Sequence, residues 1–326
     1  MPTAESAKLQ YEAGQSSVAM TLLTDAGDGI VYASAASLWS GRSGYAPVVR
    51  PNGVLTGGTV TANTTSNNVA MVAAMTLNLN GVVTSVNAGT ATCNRPASAV
   101  SKVNSITIDS AGNIAVVAGT DGASVAFSDT RAAAGGPPLI PVGSVEVAQV
   151  RFTSNANAVI AASEIFQVVG LHQERADFPL YDINYGAGTV TFIAANPPDH
   201  TGAVGKRCYA SYATPIFADV ALASDFVPPE TSHSVSSTQI YGTTLGSVSS
   251  TLGQGSFTAF LSNGIGDALV ALKNATLWFK FFPDRYATSY LLCQGKLGIA
   301  RTFPAGDAIQ AACTVSASAA GTEVVS

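Results

Sequence analysis

Short runs of alternating apolar and polar residues, rarely longer than eight, fill most of this chain and predict strands rather than helices. Thr59–Ala62, Val69–Ala73, Met75–Asn80 and Val82–Val86 are alternating or β-branched runs. Asn52-Gly53 and Asn80-Gly81 supply turn chemistry beside them, because both residue types accept positive φ at low cost. Ser105–Ile108 and Ile114–Val117 flank Asp109–Asn113 and predict a hairpin with a five-residue loop. Farther along, Ser144–Phe152, Glu164–Val169, Tyr181–Tyr185, Gly188–Ile193 and Lys206–Tyr212 are strand candidates. Two of them alternate aromatics at period two, the mark of a half-buried antiparallel sheet. Ser234–Tyr241 and Ser256–Leu261 follow, joined by a Gly/Ser/Thr-rich connection, and then Thr276–Phe282, Ser289–Arg301 and Asp307–Ser318.

Helical pattern is scarce. Residues Ala4–Ala13 have helix-compatible composition that Gly14 interrupts, so an arm or short helix is expected at 1–17. Asp267 is placed to cap a helix in which Ala268, Leu269, Ala271 and Leu272 build one apolar side. The stretch Ala132–Pro141 reads AAAGGPPLIP and cannot continue a helix or a central strand, which predicts a domain boundary. The expected organisation is an arm at 1–17, a small all-β domain at 18–134, and a β-sandwich or barrel with one packed helix at 135–326. The fold class is mainly β.

Composition adds the most informative feature. Only 11% of residues are charged, against about 25% in ordinary globular proteins. Thr231–Gly266 contains no Asp, Glu, Lys or Arg, and Pro51–Ser101 contains only Arg95. Charge keeps exposed surface soluble and apart from its neighbours, so these stretches predict surface covered by further copies of the chain. Net charge is −5, with 7 acids against 6 bases up to Gly136 and 13 against 9 beyond it. That balance opposes tight binding to phosphate backbones. No apolar run approaches the length of a spanning helix. Met1–Gln10 lacks the basic-then-apolar order of a secretory signal, and a cytoplasmic product is expected.

Candidate chemistry is thin. Cys93, Cys208, Cys293 and Cys313 have no C-x-x-C spacing and are expected to be buried, reduced thiols. His172 beside Glu174 and Asp177 lacks the partner spacing of a zinc or iron site. His200 follows a Pro-Pro-Asp turn, and His233 has no G-x-S-x-G serine to serve. Asp177, Asp182 and Asp199 supply carboxylates for a glycosidase pair, but only Trp39 and Trp278 are available to line a cleft, and Trp278 falls in a core strand. Phosphate-loop motifs are absent. Asn63 and Asn274 head glycosylation-like triplets that carry no weight without secretion. No catalytic, cofactor or metal residues are therefore expected.

The stretch Tyr290–Ser318, YLLCQGKLGIARTFPAGDAIQAACTVSAS, resembles the closing strands of the major tail tube proteins of long-tailed bacteriophages. A glycine-bearing strand, an F-P-x-G-D-A turn and a last strand recur there, and Asp267–Phe282 stands where that fold has its helix and neighbouring strand. The resemblance spans about Pro137–Ser318 in element order, with motif detail in Gly295–Thr314. It implies hexameric rings that stack into a tube, with tape measure and tail terminator proteins as further partners. DNA would pass through the lumen unbound, no membrane would be involved, and the product would be made in the host cytoplasm and end in the virion tail. The uncharged 231–266 segment becomes the expected contact between rings, and 18–131 an addition to the minimal fold. Rival expectations are a trimeric head decoration or fibre protein, an adhesin module, or a β-rich carbohydrate-active hydrolase.

Overall fold

A computed structural model describes residues 3–109, 111–167, 180–196 and 205–325. The fold is mainly β, with one α-helical turn at Ala268–Ala271 and short 3₁₀ turns at Ala4–Ser6 and Ala162–Glu164 among the described residues. The chain divides into two units. One contains 1–17, 39–46 and 213–326; the other contains 18–38 and 47–212.

In the first unit a sheet runs in the order Ala223–Val227, Gly255–Leu261, Ile309–Ala317, Tyr290–Thr302, Thr276–Phe282 and Lys8–Leu22, the last of these belonging to this unit as far as Ser17. All of these neighbours whose register is resolved are antiparallel. Period-two alternation sends Leu277, Phe279, Leu297, Ile299, Ala311, Cys313 and Val315 into one core with Leu9, Tyr11 and Phe257. Leu269 and Leu272 from the helical turn are buried in the same core, whereas Ala268 and Ala271, expected on the same apolar side, are exposed. Phe226 stacks on Phe281 at 4.6 Å.

The expected arm at 1–17 is instead strand from Lys8 onward, with Lys8–Tyr11 paired to Phe282–Phe279. Leu9, Tyr11 and Ala13 alternate inward toward that core, and tertiary burial overrides a helix-compatible composition. Gly14 does not interrupt the strand, which runs on through it to Leu22. Between the alternating side chains sits Glu12, fully buried. Its carboxylate accepts from the Ser40 hydroxyl, from Gln15 Nε2 at 2.8 Å and from the Trp278 backbone N–H at 3.1 Å. Trp278 Nε1 donates to the Trp39 carbonyl at 2.8 Å. This network ties 39–42 to the sheet.

In the second unit Lys102–Ile108 pairs with Ile114–Ala118 on one side and Val145–Phe152 on the other. Most residues of the two inner strands of this sheet, 102–108 and 145–152, are buried on both faces. The hairpin predicted around Asp109–Asn113 is present, held by the Asp109 carboxylate accepting from the Ala111 and Asn113 amides. Asn80 and Gly81, at φ 53 and 83, make the two-residue turn between Met75–Leu79 and Val82–Val86. The lone charge of the 51–101 stretch turns inward. Arg95 donates to Asn68 Oδ1 at 2.7 Å and to the Ser154 and Ala158 carbonyls, and lies 4.1 Å from the Phe152 ring centre.

The expected boundary at Ala132–Pro141 lies inside this second unit. Residues on its two sides pair in one sheet, and the Gly-Pro stretch is a bonded turn: Ala132 N–H donates to the Pro137 carbonyl at 2.8 Å and Arg131 to the Pro138 carbonyl at 2.9 Å. The division into 18–134 and 135–326 is corrected accordingly. Glycine and proline here punctuate elements, not domains.

Candidate assembly surface

The uncharged segment folds as a hairpin of two ten-residue strands, Thr231–Ile240 and Thr243–Leu252, in unbroken register. The Gly/Ser/Thr-rich connection expected as a loop is thus itself a strand. Serine and threonine suit extended backbone here because their hydroxyls pair across the ladder: Ser234 with Ser249 at 2.6 Å and Ser236 with Ser247 at 2.7 Å. The return is the dipeptide Tyr241-Gly242, where Gly242 takes φ +87, a conformation a Cβ disfavours. At about 3.3 Å per residue the strands extend roughly 33 Å.

Every described side chain from Thr231 to Thr251 is exposed. Val235 and Val248, directly opposite one another, are 76% and 71% exposed, and Tyr241 at the tip is fully exposed. A Cβ added at Gly242 or Gly246 would meet nothing within 4 Å. The two strands form a sheet of their own, so both outer edges carry open backbone donors and acceptors. An isolated two-stranded hairpin is at best marginally stable in water.

Natural edges are blunted by bulges, charges or proline. The edge strand Ala223–Val227 shows this: its register shifts between Ser224 and Val227, and Asp225 sits at φ +56. The hairpin carries no shift, no charge and no proline. Such an edge is suited to pairing with another chain.

The residues weighed for chemistry are scattered. His172, Glu174, Asp177, Asp199 and His200 lie outside the described residues. His233 is exposed on the hairpin opposite Ser250. Asp182 is exposed in Tyr181–Asn184, while Trp39 and Trp278 are buried. All four cysteines are free and buried. Burial pushes the thiols of Cys93, Cys208 and Cys293 up to about 12 and that of Cys313 up to about 11, which keeps them protonated and unreactive. Among the described residues no group of three or more His, Cys, Asp or Glu could hold a metal ion.

A recess of about 330 Å³ is lined by Pro283, Ala287, Tyr290, Leu291 and Val324, with Asp284 and Glu323. Ser289 lines it as well, with the two carboxylates, and the lining contains no histidine, cysteine or lysine. Beside it, Lys280 Nζ lies 4.2 Å and 4.8 Å from the ring centres of Phe217 and Tyr290, and burial lowers its pKa. Among the described residues no helix is long and apolar enough to cross a membrane. No protein-family model matches this chain, and no curated protein matches it significantly.

Proposed function

We propose that this chain is a structural virion protein that assembles into stacked, hexameric rings forming a phage tail tube. The observation that carries the reading is the Thr231–Leu252 hairpin, which is regular, uncharged, unblunted and uncovered over about 33 Å. A chain with such an element either covers it with further copies or aggregates. Heterologous contacts close into rings within one plane and extend without limit between planes, so one kind of protomer can build a stacked tube.

The reading is supported by the −4 excess of acids over bases beyond Gly136, which suits a conduit that lets DNA pass without holding it. The closing strands add the sequence resemblance already described. In this role the protein acts as a wall and not an enzyme; its partners are itself, the tape measure and the tail terminator, and its place is the virion tail. The 18–131 part of the chain enlarges the protomer beyond the minimal tube fold.

Sedimentation velocity over a hundredfold concentration range tests this. A series of growing species without an upper limit is expected. A single trimer would indicate a fibre or decoration protein, and a monomer at every concentration would overturn assembly altogether.

A further inference from the structure

The turn 283–289 joins Thr276–Phe282 to Tyr290–Thr302, and Pro283 stops the first of these strands. On the far side Thr322–Val324 pairs with the start of the second strand, Val324 opposite Tyr290 and Glu323 opposite Leu291. Between turn and strand lies the recess of about 330 Å³, near the lower end of the range that small-molecule sites occupy. Its lining is mostly carbon, with Tyr290, Leu291 and Val324 beside Pro283. All of it belongs to the first unit.

The turn is braced. The Arg285 amide donates to the Ser6 carbonyl at 2.7 Å, and Arg285 Nη2 to the Ala7 carbonyl at 2.8 Å. Within the turn the Tyr286 amide donates to Asp284 Oδ1 and the Ala287 amide to the Asp284 carbonyl, both at 3.0 Å. Arg285 thus turns its charge toward 6–7, and among the described residues neither Asp284 nor Glu323 has an ion-pair partner. Lys280 lies outside the lining, with its ammonium over the Phe217 and Tyr290 rings. The recess holds two carboxylates, half-buried at Asp284 and exposed at Glu323, with no cation in its lining.

We infer that this recess binds an organic ammonium ion carried on an apolar body, a role that goes beyond assembly and does not draw on it. An anion would be repelled by both carboxylates. A neutral apolar guest would take water from Asp284 and return no charge. A calcium ion takes six to eight oxygens, and two carboxylates with the Ser289 hydroxyl among aliphatic carbon fall short of that. An ammonium on an apolar stem meets both demands, because the stem covers the carbon lining while the charge faces Asp284 and Glu323. Tyr290 suits either part of such a guest, since an aromatic face attracts a cation as well as hydrocarbon. The same ring already lies 4.8 Å from the Lys280 ammonium.

The hydrogen bonds that hold 283–289 to 6–7 leave little of this wall to be ordered by a guest. Losing either carboxylate alone should weaken the ammonium about fivefold, the scale of a partly exposed ion pair. Added salt should weaken it as well, because such a pair is screened. Ammonium groups on apolar stems come both as free amines and as lysine side chains of other chains. Both set the same groups against Asp284 and Glu323, so they are separated by the competitor used.

Saturation-transfer NMR on the full chain tests the site, because the signal is read on the ligand whether the protein is dispersed or extended. The probes are phenethylammonium, its neutral analogue phenethyl alcohol and the anion hydrocinnamate. The ammonium is expected to bind, the alcohol several-fold more weakly and the anion not at all. Asp284→Asn keeps an acceptor for the Tyr286 amide, and Glu323→Gln keeps the backbone pairing of its strand. Each should weaken the ammonium about fivefold and leave the alcohol unchanged, with a melting temperature near that of wild type. On the wild type itself, high salt should weaken the ammonium and not the alcohol. No transfer to phenethylammonium, equal binding of ammonium and alcohol, or wild-type affinity in both variants would overturn the site. A capped Leu-Lys-Leu peptide that displaces bound phenethylammonium assigns the site to a lysine of a partner chain; a peptide that does not displace it assigns the site to a free amine. Assembly is decided separately by the sedimentation series, so either reading can fail without the other.

Discussion

Truncating the two hairpin valines isolates what their coverage contributes to assembly. Val235 and Val248 face each other across the hairpin and are 76% and 71% exposed in the free chain. Each Val→Ala change removes about two methylene equivalents, worth about 0.8 kcal/mol each when fully buried. Scaled by the area still available for covering, the double variant V235A/V248A forfeits about 2.4 kcal/mol per hairpin contact. That is roughly a fiftyfold rise in the concentration needed for extension. Because both side chains are already in water in the free chain, its own stability should change by less than about 1 kcal/mol. Light scattering over a dilution series gives the critical concentration, and a thermal melt of the dilute protein gives the control. An unchanged critical concentration would refute the claim that this face is covered on assembly, and a large fall in melting temperature would show that it is already packed within the protomer.

Other residues give sharper tests of the fold. Glu12→Leu should cost about 3 kcal/mol, since it strands the Ser40 hydroxyl and the Trp278 amide; a Tm within a degree of wild type would count against the buried network. Arg95→Met removes three hydrogen bonds and a ring contact in the second unit and should cost a similar amount, about 3 kcal/mol, by denaturant unfolding. Gly295→Ala sets a Cβ 2.6 Å from Val315 Cγ1 and 3.0 Å from the Ser316 backbone, for an expected loss of about 1–3 kcal/mol. The Asp267 carboxyl is held below its usual range by the Ser262 amide first, then by those of Asn263 and Gly264. A depressed carboxylate stabilises fully above its unfolded value of about 3.9 and loses that contribution as pH falls through the lower folded value. The amide resonances of Ser262–Gly264 should therefore titrate below pH ~4, and a midpoint above that would contradict the bonding assigned to the loop.

How much of this was legible in the residues depends on how local each signal is. Asn80-Gly81 announces its turn because two residues must take positive φ, and the Ile114 hairpin follows from alternation on both sides of a loop that opens on Asp109 and closes on Gly112-Asn113. Thr276–Phe282 is bounded as the pattern predicts. Lys8–Leu22 was obscured by Gly14 and by helix-compatible residues; only the Leu9–Tyr11–Ala13 alternation signals it, and its pairing partner lies some 270 positions away. Asp267 has the type and place of a helix cap, yet its carboxylate turns back to the preceding loop, a choice that one more Asn-Gly turn decides. The interleaved units defeat any reading along the chain, because composition shifts mark turns while contacts mark domains. For the assembly surface, lack of charge found the segment, but hydropathy alone did not show Thr243–Leu252 as a strand. Its serines and glycine offer no apolar face, and the pairing hydroxyls that stabilise it have no period in hydropathy.

The most direct test is electron microscopy of the purified wild-type protein at low and high concentration. Six-fold rings at low concentration that stack into hollow tubes at high concentration are the predicted result. Compact monomers or closed trimers at both concentrations would contradict the account.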